Sequence, residues 1–261
     1  MTKRLTTALI TGASSGIGAT YAERLAQRGH NLVLVARDVK RMEELAARLR
    51  QETGVTIDIL PADLTKPEDL AKVEARLAGD EKIGLLVNNA GMAAHGSYAA
   101  PDLAGWSALI NLNISALTRL TGAVVPRFLA QGKGEIINIA SVLAFAPEIP
   151  LGPYAATKSF VVTFTQGLNA ELGAHGIYAQ AVLPAATRTE IWERSGRDVN
   201  SLAGVMEVGE MVDAALVGFD RRETITLPSL PDAAQWDAYD GARRAMLPNF
   251  AQAHAAARYQ A

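Results

Sequence analysis

"TGASSGIG", residues 11–18, directly follows an apolar run, "LTTALI" at 5–10, and leads into a segment of helical period. Glycine lacks a β-carbon, so Gly12, Gly16 and Gly18 permit a tight turn and a close approach of backbone to a ligand. A helix that starts at such a turn aims unpaired N–H groups and the positive end of its dipole at an anion. Glycine-rich turns are common, but one placed between a first strand and a first helix is a dinucleotide-binding fingerprint. Ser14, Ser15 and Ile17 lie in the same loop and are expected against the cofactor.

Further along the chain, strand-like and helix-like segments keep alternating. Short runs rich in Val, Ile and Leu recur as "NLVLVA" (31–36), "TIDILPA" (56–62), "GLLVN" (84–88), "EIINIA" (135–140), "YAQAVL" (178–183) and "TITLP" (224–228). Several are apolar at consecutive positions, the pattern of strands covered on both faces in a parallel sheet. Between them lie helical segments. "ATYAERLAQRG" (19–29) and "VKRMEELAARLRQETG" (39–54) both stop at glycine, and the second carries Met42, Leu45 and Leu49 on one stripe. The predicted class is α/β: a Rossmann-like, doubly wound parallel sheet of about seven strands with helices on both faces.

No linker, repeat or low-complexity run interrupts the chain, so residues 1–261 are expected to form a single domain. A substrate lid is expected near 190–207 and a C-terminal helical extension near 231–261, with a helix around 232–246. That extension either caps the pocket or meets a partner. The segments 109–129 and 159–172 carry apolar residues on more than one face, which a helix covering a sheet does not need. Either these helices are buried within their own chain, or the second face meets a partner subunit in a homodimer or homotetramer, which is the expectation here.

Composition narrows the function classes. Of 261 residues, 49% are apolar and 20% charged, and the net charge of −2 gives no electrostatic basis for nucleic acid or an anionic membrane as partner. The absence of cysteine excludes disulfides, thiolate zinc sites and cysteine nucleophiles, and agrees with a cytoplasmic location. Histidines at 30, 95, 175 and 254 lack metal-ligand spacing, so no metal is expected. The start, "MTKRLTTALITGASS", is too short in apolar residues for a signal peptide. No stretch approaches the run of about 18 apolar residues that suggests a membrane span.

The end of the second strand selects the cofactor. A carboxylate there binds the adenosine ribose 2′-OH and repels a 2′-phosphate. Here "VLVARD" places Ala36 at that position and Arg37 after it, a fork of donors for a phosphate. Lys40 and Arg41 follow one turn later, either assisting or forming a solvated helix face. Asp38 and the lack of a second cation in the glycine loop weigh the other way, and the balance favours NADP(H) over NAD(H). Asp63, in "PADLT", either accepts from the adenine amino group or serves as a turn aspartate, with Leu64 beside it. "NNAG" (88–91) ends the fourth strand at the ligand-bearing edge, so Asn89, Ala90 and Gly91 are expected along the cofactor cleft.

"PYAATK" (153–158) puts Tyr154 and Lys158 on one helical face, thirteen residues after Ser141 in "NIAS". Taken together, "TGASSGIG", "NNAG", "NIAS" and "YAATK", with the seven-strand layout, resemble the classical short-chain dehydrogenase/reductase family over roughly residues 5–228. The resemblance implies a catalytic tetrad of Asn113, Ser141, Tyr154 and Lys158, with Asn111 as the alternative asparagine. It also implies that Lys158 holds the nicotinamide ribose while the asparagine anchors a proton-relaying water.

Reducing a ketone requires a proton at oxygen, and a tyrosine beside an ammonium suits that task, since the charge favours phenolate. Ser141 is expected to bond the carbonyl oxygen as charge develops. The loop after the sixth strand, "LPAATRTE", departs from the family's common Pro-Gly by carrying Ala185. Pro184, Thr187 and Thr189 are expected at the nicotinamide, and Ala185 is strained if that turn needs positive φ.

Leu143, Phe145, Ile191 and Trp192 are expected to wall an apolar substrate pocket, with Ile149, Leu151 and Met206 nearby. The expected activity is an NADP(H)-dependent carbonyl reductase or secondary alcohol dehydrogenase acting on a small, hydrophobic ketone or alcohol. The alternatives are a silent dinucleotide sensor and, on the same fold, an enoyl reductase or epimerase. The unaltered serine and tyrosine–lysine spacing speak against both.

Overall fold

The computed structural model describes residues 6–93, 96–149, 151–190, 192 and 198–260. All seven expected strands form and join one parallel sheet. They are β1 (Thr7–Thr11), β2 (Asn31–Ala36), β3 (Ile57–Pro61), β4 (Ile83–Asn88), β7 (Gly134–Ile139), β8 (Ile177–Val182) and β9 (Ile225–Thr226), in the order β3-β2-β1-β4-β7-β8-β9. Two short strands, β5 (Gly96–Ser97) and β6 (Ala100–Pro101), pair separately as an antiparallel ribbon. The consecutive apolar residues of the strands have the predicted cause, since Leu9, Leu34, Val35 and Ile137 are fully buried between helices on the two faces.

One face is covered by α1 (Gly16–Gln27), α2 (Val39–Thr53) and α7 (Val208–Asp220), the other by α3 (Pro67–Gly79), α5 (Leu117–Gln131) and α6 (Tyr154–Leu172). In α2, Met42, Leu45 and Leu49 form the buried stripe. Asp38 caps its start by accepting from the Arg41 N–H at 3.0 Å, and Gly54 ends it in a left-handed conformation at φ 73°.

A short helix, α4 (Leu103–Ile110), continues through a π-helical turn, Asn111–Ala116, into α5. The whole span, Leu103–Gln131, is long and apolar enough by length and composition to cross a membrane, which corrects the expectation that no stretch approaches one. Single polar residues interrupt the apolar run without lowering its mean hydropathy enough. One face of this helix belongs to the core through Leu109, Leu120, Val124 and Phe128, while Ile110 and Leu129 are exposed.

The chain divides into two compact units, Met1–Pro228 and Ser229–Ala261. The second contains α8 (Ala233–Ala245), close to the helix expected at 232–246. Asp232 caps it, and Asp240 pairs with Arg243 and Arg244 at 2.8 and 2.6 Å.

Candidate active site

The chain runs outward from β1 to β3, then returns to place β4 on the other side of β1. Connections above β1 and β4 therefore diverge, and the carboxyl ends of those strands frame a crevice. A cavity of about 1300 Å³ lies there, lined by residues from the first unit.

Its nucleotide end is built by the glycine loop. Gly12 and Gly16 adopt positive φ, 66° and 52°, which turns the chain from β1 into α1. Ser15 stands at the N-cap but makes no side-chain capping bond, so the first-turn amides of α1 lack that internal acceptor. Ser14, Ser15, Gly16 and Ile17 line the cavity. Gly18 lies beneath the loop, against Gly12 and Asn89. Asn89 holds the loop in place, its Nδ2 donating to Thr11 O at 2.8 Å, while the Asn89 and Ala90 N–H groups both donate to Thr11 Oγ1 at 2.9 Å.

Arg37, Asp38, Asp63 and Leu64 line the far end of the same cavity. Arg37 makes no hydrogen bond or ion pair among the described residues. Of the other two basic residues, Arg41 binds Glu190, whereas Lys40 is exposed and lies 4.0 Å from Glu44. Asp63 accepts from the N–H and hydroxyl of Thr65 at 3.1 and 2.7 Å. Burial pushes its carboxyl up, but the Thr65 bonds and the charge of Arg37 outweigh that and hold it below the usual aspartate range.

At the other end, three elements converge. Ser141 caps the turn Val142–Phe145 that follows β7, accepting from the Leu143 N–H at 3.2 Å. Tyr154 opens α6 and hydrogen-bonds Ser141. One turn on, Lys158 places Nζ 5.6 Å from the Tyr154 ring centre and donates to Ile139 O at 2.9 Å.

Asn113, in the π-helical turn, is buried. Its Nδ2 donates to Met92 O and Thr157 Oγ1 at 3.1 and 3.2 Å, and its Oδ1 accepts from the Met92 N–H at 3.0 Å. The segment after β4 is thereby pinned beside Lys158. A β-carbon on Gly91 would lie 3.2 Å from Asn113 Oδ1 and 3.7 Å from Lys158 Nζ, so the backbone approaches both closely. Asn111, the alternative, is exposed.

Burial dominates the electrostatics here. Burial pushes the Tyr154 phenol up to about 12, and the hydrogen bond with Ser141 only partly opposes it. Burial pushes Lys158 itself down to about 8, because desolvation penalises the ammonium and no carboxylate compensates. At neutral pH the pair is therefore a protonated phenol beside a mostly protonated amine, a proton donor with an adjacent positive charge.

The remaining lining around Tyr154 is apolar: Met92, Ala93, Ala108, Leu112, Leu143, Ile149, Leu151, Trp192 and Leu202 among others. Of the four expected wall residues, Leu143 and Trp192 line the cavity, Phe145 does not, and Ile191 lies outside the described residues. His95 and residues 193–197, part of the lid expected near 190–207, also lie outside them. Pro184, Ala185, Thr187 and Thr189 line the cavity from the segment after β8. Ala185 is not strained, since Arg222 is the sole non-glycine residue with positive φ among the described residues.

Sequence reasoning passed over Thr157, whose hydroxyl links Asn113 to Tyr154 O at 2.8 Å. It also passed over Ser159, which donates to Ala144 O at 2.7 Å and joins α6 to the Ser141 turn. Both are small polar residues flanking Lys158 in sequence, and that adjacency is the signal that could have marked them.

Residues 6–200 match the short chain dehydrogenase family. Very-long-chain 3-oxoacyl-CoA reductase-B of Danio rerio is 37% identical over 192 residues, covering 70% of this chain and 60% of that protein. Human (Homo sapiens) 17-beta-hydroxysteroid dehydrogenase type 3 is 32% identical over 216 residues, covering 81% and 68%. A short-chain dehydrogenase from Sphingobium yanoikuyae, solved in complex with NADPH, superposes with a TM-score of 0.96 at 62% identity, covering 98% of this chain and 100% of that one. The bulky-bulky ketone specific alcohol dehydrogenase from Comamonas testosteroni superposes with a TM-score of 0.92 at 55% identity, covering 99% and 100%. The chain thus spans about 60% of the length of the oxoacyl-CoA reductase.

Proposed function

Since this chain belongs to the short-chain dehydrogenase family, an oxidoreductase acting on CH–OH and C=O groups, we propose that it is an NADP(H)-dependent reductase of uncharged ketones with bulky apolar substituents. In the reverse direction it oxidises the secondary alcohol. One observation carries the proposal: the Ser141–Tyr154–Lys158 group and the glycine loop share a single cavity, and its lining around Tyr154 is apolar.

The residues fit a nicotinamide dinucleotide. Positive-φ glycines and uncapped α1 amides suit the pyrophosphate, Arg37 suits a 2′-phosphate, and Asp63 suits the adenosine end. Asn89, Ala90, Gly91, Pro184, Thr187 and Thr189 would hold the remainder. When bound, the reduced nicotinamide supplies the hydride to the carbonyl carbon.

Tyr154 delivers the proton to the carbonyl oxygen, and a phenol held up at about 12 stays protonated across neutral pH. Ser141 donates to the same oxygen as its negative charge grows. Lys158 supplies positive charge next to Tyr154, and Asn113 acts through Met92 to fix the backbone beside Lys158.

Substrate choice follows from charge. A CoA thioester brings phosphates that need cations, whereas the charged residues among the described lining are Arg37, Asp38, Asp63, Lys158 and Glu190, none of them at the apolar end except Lys158. The likeness to an alcohol dehydrogenase specific for bulky-bulky ketones supports the same choice. Exposed Ile110 and Leu129 on the long helix support association of copies, which a mass measurement in solution checks.

The test follows NADPH and NADH consumption across ketones graded by the size of both substituents, with a 3-oxoacyl-CoA included. Faster turnover of the larger ketones with NADPH is expected. Preference for NADH, or for the CoA thioester, would overturn the corresponding part of the proposal.

A further inference from the structure

Arg41 was a candidate helper for the cofactor phosphate, yet its side chain faces elsewhere. It borders a separate cavity of about 460 Å³ with Ser14, Glu23 and Arg48, and does not line the cofactor cavity. There its Nη1 donates to both carboxylate oxygens of Glu190, at 2.6 and 2.7 Å. Glu190 and Ser14 line both cavities and so form part of the wall between them.

Glu190 follows Thr189, and Thr189 covers the glycine loop. A β-carbon on Gly16 would lie 3.2 Å from both Cβ and Cγ2 of Thr189. The pyrophosphate site at Gly16 and the first turn of α1 is therefore roofed by the segment after β8. That segment is tied down along its length. Thr187 bridges to Met206, the Trp192 indole donates to Thr187 O at 2.7 Å, and Arg188 pairs with Glu207 at 2.8 Å. The Arg41–Glu190 pair extends these ties across the crevice to α2.

We propose that Glu190 is a positioning residue for the cofactor: paired with Arg41, it straps the Thr187–Glu190 segment over the glycine loop and sets how long the dinucleotide stays bound. The inference rests on the nicotinamide-dependent function above. A cofactor leaving the loop must displace Thr189 from Gly16, and the ion pair resists that displacement. Both partners are partly solvent-exposed, 46% for Arg41 and 37% for Glu190, so salt screens the strap and it can open during turnover.

The test measures dissociation of NADPH and NADH by their fluorescence after rapid dilution into excess unlabelled competitor. The proteins are the wild type, Glu190→Gln, Arg41→Gln and the double variant. Each single change is expected to speed release about two- to fivefold, the range an exposed ion pair supports. It should do so equally for both cofactors, with the double variant no faster than the singles and the difference lost near ~1 M salt.

Unchanged release in Glu190→Gln would overturn the strap. So would an Arg41→Gln effect confined to NADPH, which would make Arg41 a phosphate ligand instead. Failure of the wild type to bind either dinucleotide would overturn the proposed function itself, a distinguishable result.

Discussion

Lys158 is held in the fold at a cost in stability. Its amine is buried with Ile139 O as acceptor, and its pKa falls to about 8 from the ordinary 10.5. Below pH 8 the lysine is charged in both the folded and unfolded states, so the burial penalty is fully felt. Between about 8 and 10.5 the folded protein has lost the proton while the unfolded chain still binds it, so stability rises with pH through that window. Lys158→Met should therefore be more stable than wild type at pH 7, by about 1–3 kcal/mol, and the gap should close as pH approaches 10.5. Denaturant melts at several pH values check this, and a gap that widens with pH contradicts it.

At this scale the sequence was most legible where chemistry is local. Tyr154 and Lys158 sit one turn apart, and Ser141 is close in sequence. The role of Arg41 was not legible, because its partner lies 149 residues away and no spacing rule reaches that far.

Among the elements, the strands were the clearest. Burial on both faces leaves consecutive Val, Ile and Leu residues, a mark that turns and surface helices do not imitate. The π-helical turn Asn111–Ala116 was invisible. It has no composition of its own, and its consequence, the placement of Asn113 against Met92, is tertiary. The strain considered for Ala185 depended on a φ angle that sequence cannot supply.

Helix α4 also carries the prediction about substrate size. Ala108 lines the cavity as a small residue, and a larger side chain there removes volume from it. Ala108→Phe should lower kcat/KM for ketones with two large substituents by at least about tenfold, since overpacking costs roughly 1–3 kcal/mol. Small ketones should be turned over nearly as before. Equal losses for both would mean that the change had disturbed the reacting group instead.

For the molecule as a whole, the two compact units divide the work unevenly. The sheet, the glycine loop and every described lining residue of the cofactor cavity lie in Met1–Pro228. A chain ending at Pro228 should still bind NADPH and unfold cooperatively, as titration and calorimetry would show. Loss of binding would assign the Ser229–Ala261 unit a part in the site. The fold class was readable because strand–helix alternation repeats along the entire first unit. The place of the second unit was not, since an alanine-rich segment with one helix suits either a cap or a contact with a partner.

The central claim is that Tyr154 protonates the carbonyl oxygen of a bound ketone. It is tested most directly by single-turnover reduction of a bulky ketone by bound NADPH in the wild type and in Tyr154→Phe, with NADPH affinity measured in parallel. The account predicts at least about a hundredfold slower alcohol formation in the variant, the usual scale of acid–base catalysis, with affinity essentially unchanged. Alcohol formation at the wild-type rate in Tyr154→Phe would contradict it.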